Sequence, residues 1–510
     1  MKRIRGLSPI LVLLLVAACS GGGGGGSSTP TTPTPPAPQA VVDPLFYSSA
    51  ASASVAVPNE ITSVTHHSVA VGATTLQYTA TAGHMTALAP GTQAPEASFF
   101  YVAYTLDGAS PANRPVTFFY NGGPGSASVW LHLGSFGPRR IATNAPLHTG
   151  PTPFSFVDNA ETLLDVSDLV FVDAVGTGLS TAVAPNKNNT FWGVDGDAAV
   201  FRDFVMRYVA VNNRASSPKY LFGESYGGPR TAVLASLLES AGVQLSGVVL
   251  QSPAMNYFNS CDIGGTSGSC YGFLPSYAAT GAWHGFASPS PAPAQIPDYM
   301  GQMRTYAVST YNPAVAAFFA GTTPTESIIG ELAAFTGMPA ANWRAKFNMG
   351  PTTFRTTLKT GTRYGRYDAR VTTPASSADG DPSSGLISPS FAVNIGGYLL
   401  TQLRYSNDST YTMLSDAIQT WDFSHAGLML PDSIPDLGAA LALNPKLKIL
   451  ALNGFNDIAT PFLTTEQDLA RLASPNVTVR NYIGGHMTYL TDESRVRMKA
   501  DLATWYGSAP

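Results

Sequence analysis

The chain has 510 residues, 44% of them hydrophobic and 12% charged, and its formal net charge is −4 at pH 7. That length buries a large core and has room for two or three domains. The charge supplies no basic field and Lys/Arg residues cluster only at the extreme N-terminus, so no nucleic-acid partner is expected.

Lys2, Arg3 and Arg5 precede a short apolar run from Leu7 to Val16. The run is too short for a stable membrane span and has the build of a signal peptide. Leu15-Val16-Ala17-Ala18-Cys19 resembles the lipobox of bacterial lipoproteins. That resemblance implies removal of residues 1–18 and lipidation of Cys19; an ordinary secretory peptide that happens to contain Cys19 is the alternative. Ser20 in place of Asp implies, by the same resemblance, the outer membrane. The expected location is the bacterial cell envelope, with the membrane reached through a lipid anchor only. Residues 19–42, a glycine run followed by Thr and Pro, read as a tether that cannot pack a core. The other two cysteines, Cys261 and Cys270, share a Gly/Ser-rich loop and can close a small disulfide in an oxidising compartment.

Polar and apolar residues alternate from Val69 to Leu88 and an aromatic run follows at Ala97 to Thr105, which predicts antiparallel strands. Pro115 to Tyr120 and Asp168 to Asp173 are short and almost wholly apolar, as strands buried on both faces are. Val200, Phe204 and Tyr208 recur on one face of a predicted helix over 195–211. Buried strands are predicted again at Tyr220–Phe222 and Val248–Gln251. From Met255 to Pro431 the alternation dissolves into helical pieces and aromatic or Pro-rich segments. It resumes at Leu447–Leu452 and Val477–Tyr482, with a last helix over 492–506. Strands alternating with helices predict a mainly parallel sheet flanked by helices. Because the last two strands are still needed to complete that sheet, residues 255–431 read as a large, mostly helical cap inserted between core segments 43–254 and 432–510. A separate tandem domain is the alternative.

The strand at Tyr220–Phe222 breaks at Gly223-Glu224-Ser225-Tyr226-Gly227 and a helical stretch follows. In a chain with 49 Gly, roughly 0.4 Gly-x-Ser-x-Gly matches are expected by chance. The strand before and helix after make this one a nucleophile elbow, with Ser225 exposed at the turn. In an α/β-hydrolase fold the acid and then the histidine follow the nucleophile, each on a loop after a later strand. Asp457 fits after Leu447–Leu452. Of His284, His425 and His486, only His486 follows a strand, beyond Gly484-Gly485. Asn121-Gly122-Gly123-Pro124-Gly125, directly after a buried strand, is the source of one oxyanion donor, and the amide of Tyr226 is the other. Turn formation by Asp457 and structural hydrogen bonding by a lone His are the plainer readings of the single residues.

Together, Asn121-Gly122-Gly123-Pro124-Gly125, the Ser225 elbow, Val172-Asp173-Ala174-Val175-Gly176-Thr177-Gly178, the Asp457 loop and Gly485-His486-Met487 resemble the serine carboxypeptidase family. The resemblance implies Ser225 as nucleophile, His486 as base and then acid, Asp457 as its orienter, and the amides of Gly123 and Tyr226 as the oxyanion hole. It also implies that Asn121, Gly122 and Glu224 hydrogen-bond the substrate's C-terminal carboxylate. A carboxylate beside Glu224 demands a shared proton; a solvated or ion-paired Glu224 is the alternative. Eukaryotic members carry a second glutamate where this chain has Ser135, and a cysteine where it has Ser126. Arg139 and Arg140 stand nearby, as surface residues or as partners for a substrate carboxylate. The expected partner is a peptide with a free C-terminus. No metal or cofactor is expected, because no metal-ligand or phosphate-loop motif is present. An esterase or acyltransferase on the same machinery, and a surface binding protein without catalysis, are the alternatives.

Overall fold

The computed structural model describes residues 40–147, 153–263, 268–378 and 380–507. The expected signal peptide, Cys19 and the expected tether as far as Gln39 lie outside the described residues. A ten-stranded sheet organises the rest. Nine of its strands, in chain order, are β1 (Thr62–Val71), β2 (Thr74–Leu88), β3 (Pro95–Leu106), β4 (Val116–Tyr120), β5 (Asp168–Val172), β6 (Lys219–Glu224), β7 (Gly247–Gln251), β8 (Lys448–Gly454) and β9 (Val477–Tyr482). The spatial order is β9-β8-β7-β6-β4-β5-β3-β2-β1, and the two-residue strand Thr181–Ala182 pairs with β3. Neighbours from β9 to β5 run parallel, and β3, β2 and β1 continue the sheet antiparallel. This is the α/β-hydrolase architecture expected from the strand–helix alternation.

The burial of each strand follows from its sequence. β4 to β8 are apolar runs and are buried at every position, as central strands covered on both faces must be. Successive side chains point to opposite faces. Phe119, Phe171, Phe222, Val249 and Leu450 therefore pack into one core with helices α1 (Val129–Gly134), α4 (Pro382–Thr401) and α7 (Asp492–Gly507). Their neighbours Phe118, Val170, Leu221, Val248 and Ile449 pack into the other core with α2 (Val194–Val211), α3 (Gly227–Ser240) and α5 (Ile434–Leu443). Phe171, Phe119 and Phe222 stack across three strands at centroid distances of 4.7 and 4.8 Å. Truncating one of these rings costs about 3–5 kcal/mol.

No strand of the central sheet lies between β7 and β8, although the two are neighbours in it. The 196 residues between Gln251 and Lys448 first form helices at Leu274–Trp283, Ile296–Tyr306, Asn312–Phe319, Glu326–Thr336, Ala340–Ala345 and Pro351–Thr357. These have a core of their own, with Trp343, Tyr277, Tyr311 and Phe354 at its centre. Phe455, Ile458, Phe462 and Leu463, from the loop after β8 and the start of α6 (Phe462–Ala470), belong to the same core. A bond between Cys261 and Cys270 closes the loop that enters this region. The segment is not uniform: α4, inside the predicted cap, sends Ile387, Phe391, Ile395 and Tyr398 into the core of the sheet's own face. The short pairs Thr362–Tyr364 with Thr372–Pro374 and Val41–Asp43 with Tyr405–Asn407 escaped prediction because three-residue strands carry no readable periodicity.

The pairing at Val41–Asp43 is the start of a longer seam. Asp43 Oδ2 accepts hydrogen bonds from Tyr47 OH (2.8 Å) and Tyr405 OH (2.7 Å), and His84 Nδ1 lies 3.2 Å away. Asn407 Nδ2 donates to the carbonyls of Asp43 and Leu45, and Tyr47 N donates to Ser409 Oγ. Beyond the seam, Thr412 bridges Gly178 and Leu414 bridges Ser126, so residues 411–416 lie as a strap along the loops after β5 and β4. Among the described residues, no helix is long and apolar enough to cross a membrane.

Candidate active site

β6 ends at Glu224, and Ser225 takes φ +63° before α3 begins at Gly227. A non-glycine residue in the left-handed region is strained, and such strain persists only where the surroundings enforce it. Here Ser225 N donates to Gln251 O at 3.0 Å, and Ser225 O accepts from Gly228 N at 2.8 Å. The flanking glycines are required by close approach. A Cβ on Gly223 would stand 2.3 Å from Gly227 O, and one on Gly228 would stand 2.7 Å from Pro253 Cβ. The turn can form only without those side chains.

The loop after β4 presses on this elbow. A Cβ on Gly122 would lie 2.4 Å from Tyr226 N and 2.6 Å from Glu224 O. Gly123 has φ +102°, which glycine adopts without strain. Arg230, fully buried on α3, donates to Asn121 O and pairs with Asp197 at 2.6 Å. The helix after Ser225 therefore fixes the loop that faces it. Asp173 anchors the same loop from behind, its Oδ1 accepting from Ser128 N (2.8 Å), Ser128 Oγ (2.7 Å) and Tyr411 OH (3.0 Å).

Asp457 and His486 meet. His486 Nδ1 lies 2.7 Å from Asp457 Oδ2, and both residues are buried. Asp457 Oδ1 accepts from the amides of Ala459 (2.8 Å) and Thr460 (3.1 Å), and Thr460 Oγ1 donates to Oδ2 at 2.8 Å. The backbone of His486 is held on both sides: its N–H donates to Tyr367 O, and its carbonyl accepts from Gln251 Nε2 and Ser252 Oγ. Burial alone would lower the imidazole's pKa; the Asp457 and Glu224 carboxylates outweigh it, and the net shift is upward. Gly485 lets the loop pass Tyr367, whose carbonyl would stand 2.3 Å from a Cβ there. His284 is bonded to Ala369 O, and His425 sits between Asp195 and Asp436, so neither joins this cluster.

Ser225 stands between two cavities. The first, about 360 Å³, is lined by Asn121, Gly122, Gly123, Glu224, Ser225 and His486, with Trp130, Leu386 and Met487 among its apolar walls. The second, about 480 Å³, shares Gly123, Ser225, Tyr367 and Ile418 with it and extends past Pro253 and Tyr257. Glu224 is 2% exposed, so the solvated reading fails. Its Oε1 accepts from Asn121 Nδ2 (2.9 Å) and its Oε2 from Tyr489 OH (2.6 Å). Burial pushes the carboxyl up to about 7, against the opposing pull of His486, Tyr489 and Asn121. A proton on Glu224 can be shared with the Tyr489 hydroxyl or offered to the cavity that the carboxyl lines.

Several expected residues are engaged elsewhere. Asn121 spends its amide on Glu224 and its Oδ1 on Leu131 N at 3.0 Å. Ser135 turns back on its own helix and donates to Leu131 O at 2.6 Å. Arg139 pairs with Asp158, Arg140 lies by Glu161 and Asp492, and neither lines the cavities beside Ser225. Tyr489, Thr460, Gln251 and Ser252 were not anticipated. Tyr489 stands three residues past His486, a spacing that carried no signal of its own. Among the described residues, no group of three or more His, Cys, Asp or Glu is placed to hold a metal ion.

Residues 72–264, from the start of β2 through the elbow and β7, match the family model described as serine carboxypeptidase. No curated protein matches the chain by sequence. Among solved structures, the chain is similar to Kex1, a prohormone-processing carboxypeptidase of Saccharomyces cerevisiae, with a TM-score of 0.52 and 15% identity over 84% of this chain and 91% of that one. It is also similar to a proline iminopeptidase of Mycobacterium smegmatis (TM-score 0.34, 16% identity, 87% and 97% covered) and a bromoperoxidase of Bacillus anthracis (0.33, 13%, 83% and 99%). At 15% identity the likeness to Kex1 speaks for the fold alone, and residues 72–264, which include the elbow, carry the match to the serine carboxypeptidase family.

Proposed function

We propose that this enzyme removes C-terminal residues from peptides through an acyl-enzyme, with Ser225, His486 and Asp457 as its triad. Nδ1 of His486 is committed to Asp457, which leaves Nε2 to take the proton of Ser225 as Oγ attacks the scissile carbonyl. The amides of Gly123 and Tyr226 would hold the oxyanion, and His486 would pass its proton to the leaving amine. Water then attacks the acyl-enzyme by the reverse roles, which returns the proton to Ser225.

One observation favours a carboxypeptidase over an esterase. A buried carboxyl, pushed up to about 7, lines the cavity beside Ser225. Such a group serves little purpose toward a neutral ester, but a protonated Glu224 can donate to a substrate carboxylate. The test compares a blocked dipeptide with its C-terminal amide and a simple ester, using wild type and Ser225→Ala. Cleavage of the free acid well above the amide is expected, with turnover in Ser225→Ala reduced by about 10⁵-fold or more. Ester cleavage alone would make the enzyme an esterase, and an unreactive Ser225 toward fluorophosphonates would leave a binding protein.

The same proposal holds the enzyme at the bacterial cell envelope by a lipid on Cys19, on the strength of the segment Leu15–Cys19. Fractionation tests it: the wild type should sediment with membranes and Cys19→Ser should not.

A further inference from the structure

The second cavity ends on a feature that the proposed reaction does not use. Its walls include Met255, Ile263, Phe273, Phe423 and Leu430, all apolar, yet Asp468 of α6 also lines it. Asp468 is 3% exposed. Asn259 Nδ2 donates to its Oδ1 at 2.6 Å, and Asn256 also hydrogen-bonds the carboxyl. Burial pushes this carboxyl up to about 7, with Arg471 pulling it down and Asp432 pushing it up.

The nearby cations are already engaged. Arg366, on the cavity wall, pairs with Asp262 at 2.8 Å, and Arg471 pairs with Asp432 at 2.7 Å. A buried carboxyl without a salt-bridge partner, on a cavity wall that mixes apolar residues with Asn256, Asn259, Thr460 and Thr464, is costly to ionise unless something of opposite charge reaches it. The chemistry that fits is a long apolar stem ending in a positive charge, since the stem would contact the apolar wall and the head would meet Asp468.

We propose that the second cavity takes the side chain on the acyl side of the scissile bond, and that Asp468 selects Lys or Arg there. The assignment rests on the carboxypeptidase reading only in this respect: if Glu224 marks the side of the leaving residue, the cavity across Ser225 faces the acyl side. Glu224 and Asp468 would then read the two residues that flank the cleaved bond.

The test uses substrates that separate this assignment from the exopeptidase reading. N-blocked lysine and norleucine methyl esters carry no leaving amino acid, so they probe the acyl-side cavity whether or not the enzyme is a carboxypeptidase. The wild type should prefer lysine over norleucine by tenfold or more in kcat/KM, and Asp468→Asn should bring that ratio to within about twofold of unity. Thermal melting of the variant shows whether the fold survived, and the wild-type comparison stands without it. Equal rates for the two esters in the wild type would overturn the assignment. So would a lysine preference seen only when Lys is the leaving residue of a blocked dipeptide, because the cavities would then be reversed. Failure to cleave any dipeptide while the ester preference holds would sink the exopeptidase reading and leave the role of Asp468 standing.

Discussion

Glu224 and Asp468 are a pair of buried carboxyls pushed up to about 7, one on each side of Ser225, and they are built from different material. Glu224 ends a central strand, and its neighbours Asn121 and Tyr489 come from the ends of segments tied to the sheet. Asp468 sits on α6, whose first residues Phe462 and Leu463 share a core with the inserted helices. Phe455 and Ile458, which bracket Asp457, share that core too. In the proposed reading the sheet positions Ser225 and the leaving side, while the insertion braces Asp457 and shapes the acyl side.

The largest way to break this picture lies at Asp457. Asp457→Asn keeps the volume but cannot accept from both backbone amides and still orient His486 as a carboxylate does, so kcat should fall by about 10³–10⁴-fold. A drop below tenfold, measured on the blocked dipeptide, would remove Asp457 from the triad. A smaller effect sharpens the contrast at Glu224. With a carboxyl that titrates at about 7, kcat/KM for a free-acid substrate should fall about tenfold between pH 6 and pH 8 as Glu224 ionises and repels the substrate. Glu224→Gln should flatten that fall. A profile identical to wild type would take Glu224 out of carboxylate recognition.

The smallest effect is on stability. Glu224's pKa rises from its ordinary 4.5 to about 7 in the fold, so the folded state keeps a proton that the unfolded chain has released. Stability is thus lost as pH rises from about 4.5 to about 7, by at most on the order of 3 kcal/mol. Glu224→Gln should shrink the drop in melting temperature between pH 5 and pH 8; an unchanged drop would mean that the carboxyl titrates normally.

Much of this was legible from local pattern. The five fully buried strands announce themselves as apolar runs, and the elbow is written in four consecutive constraints around Ser225. Chain order alone separated His486 from His284 and His425. What stayed hidden depends on contacts between distant residues. Tyr489 is a tyrosine in a helical turn until Glu224 lies 2.6 Å from it, 265 positions away in the chain. Asn121 lines the cavity as expected, but sequence could not show that its side chain also bonds Glu224 and Leu131. Asp468 reads as a polar residue of an amphipathic helix; its burial is decided by Asn256, Asn259 and the insertion.

The seam that binds residues 41–49 to residues 405–412 ties the start of the described chain to the site. The Val41–Asp43 ladder and the Asp43 hydrogen bond from Tyr405 hold its first residues. The same segment continues through the Gly178 and Ser126 bridges to Leu414, Ser415 and Ile418, which line the cavities beside Ser225. One wall of the site is thus built from the stretch of chain that anchors the N-terminal strand.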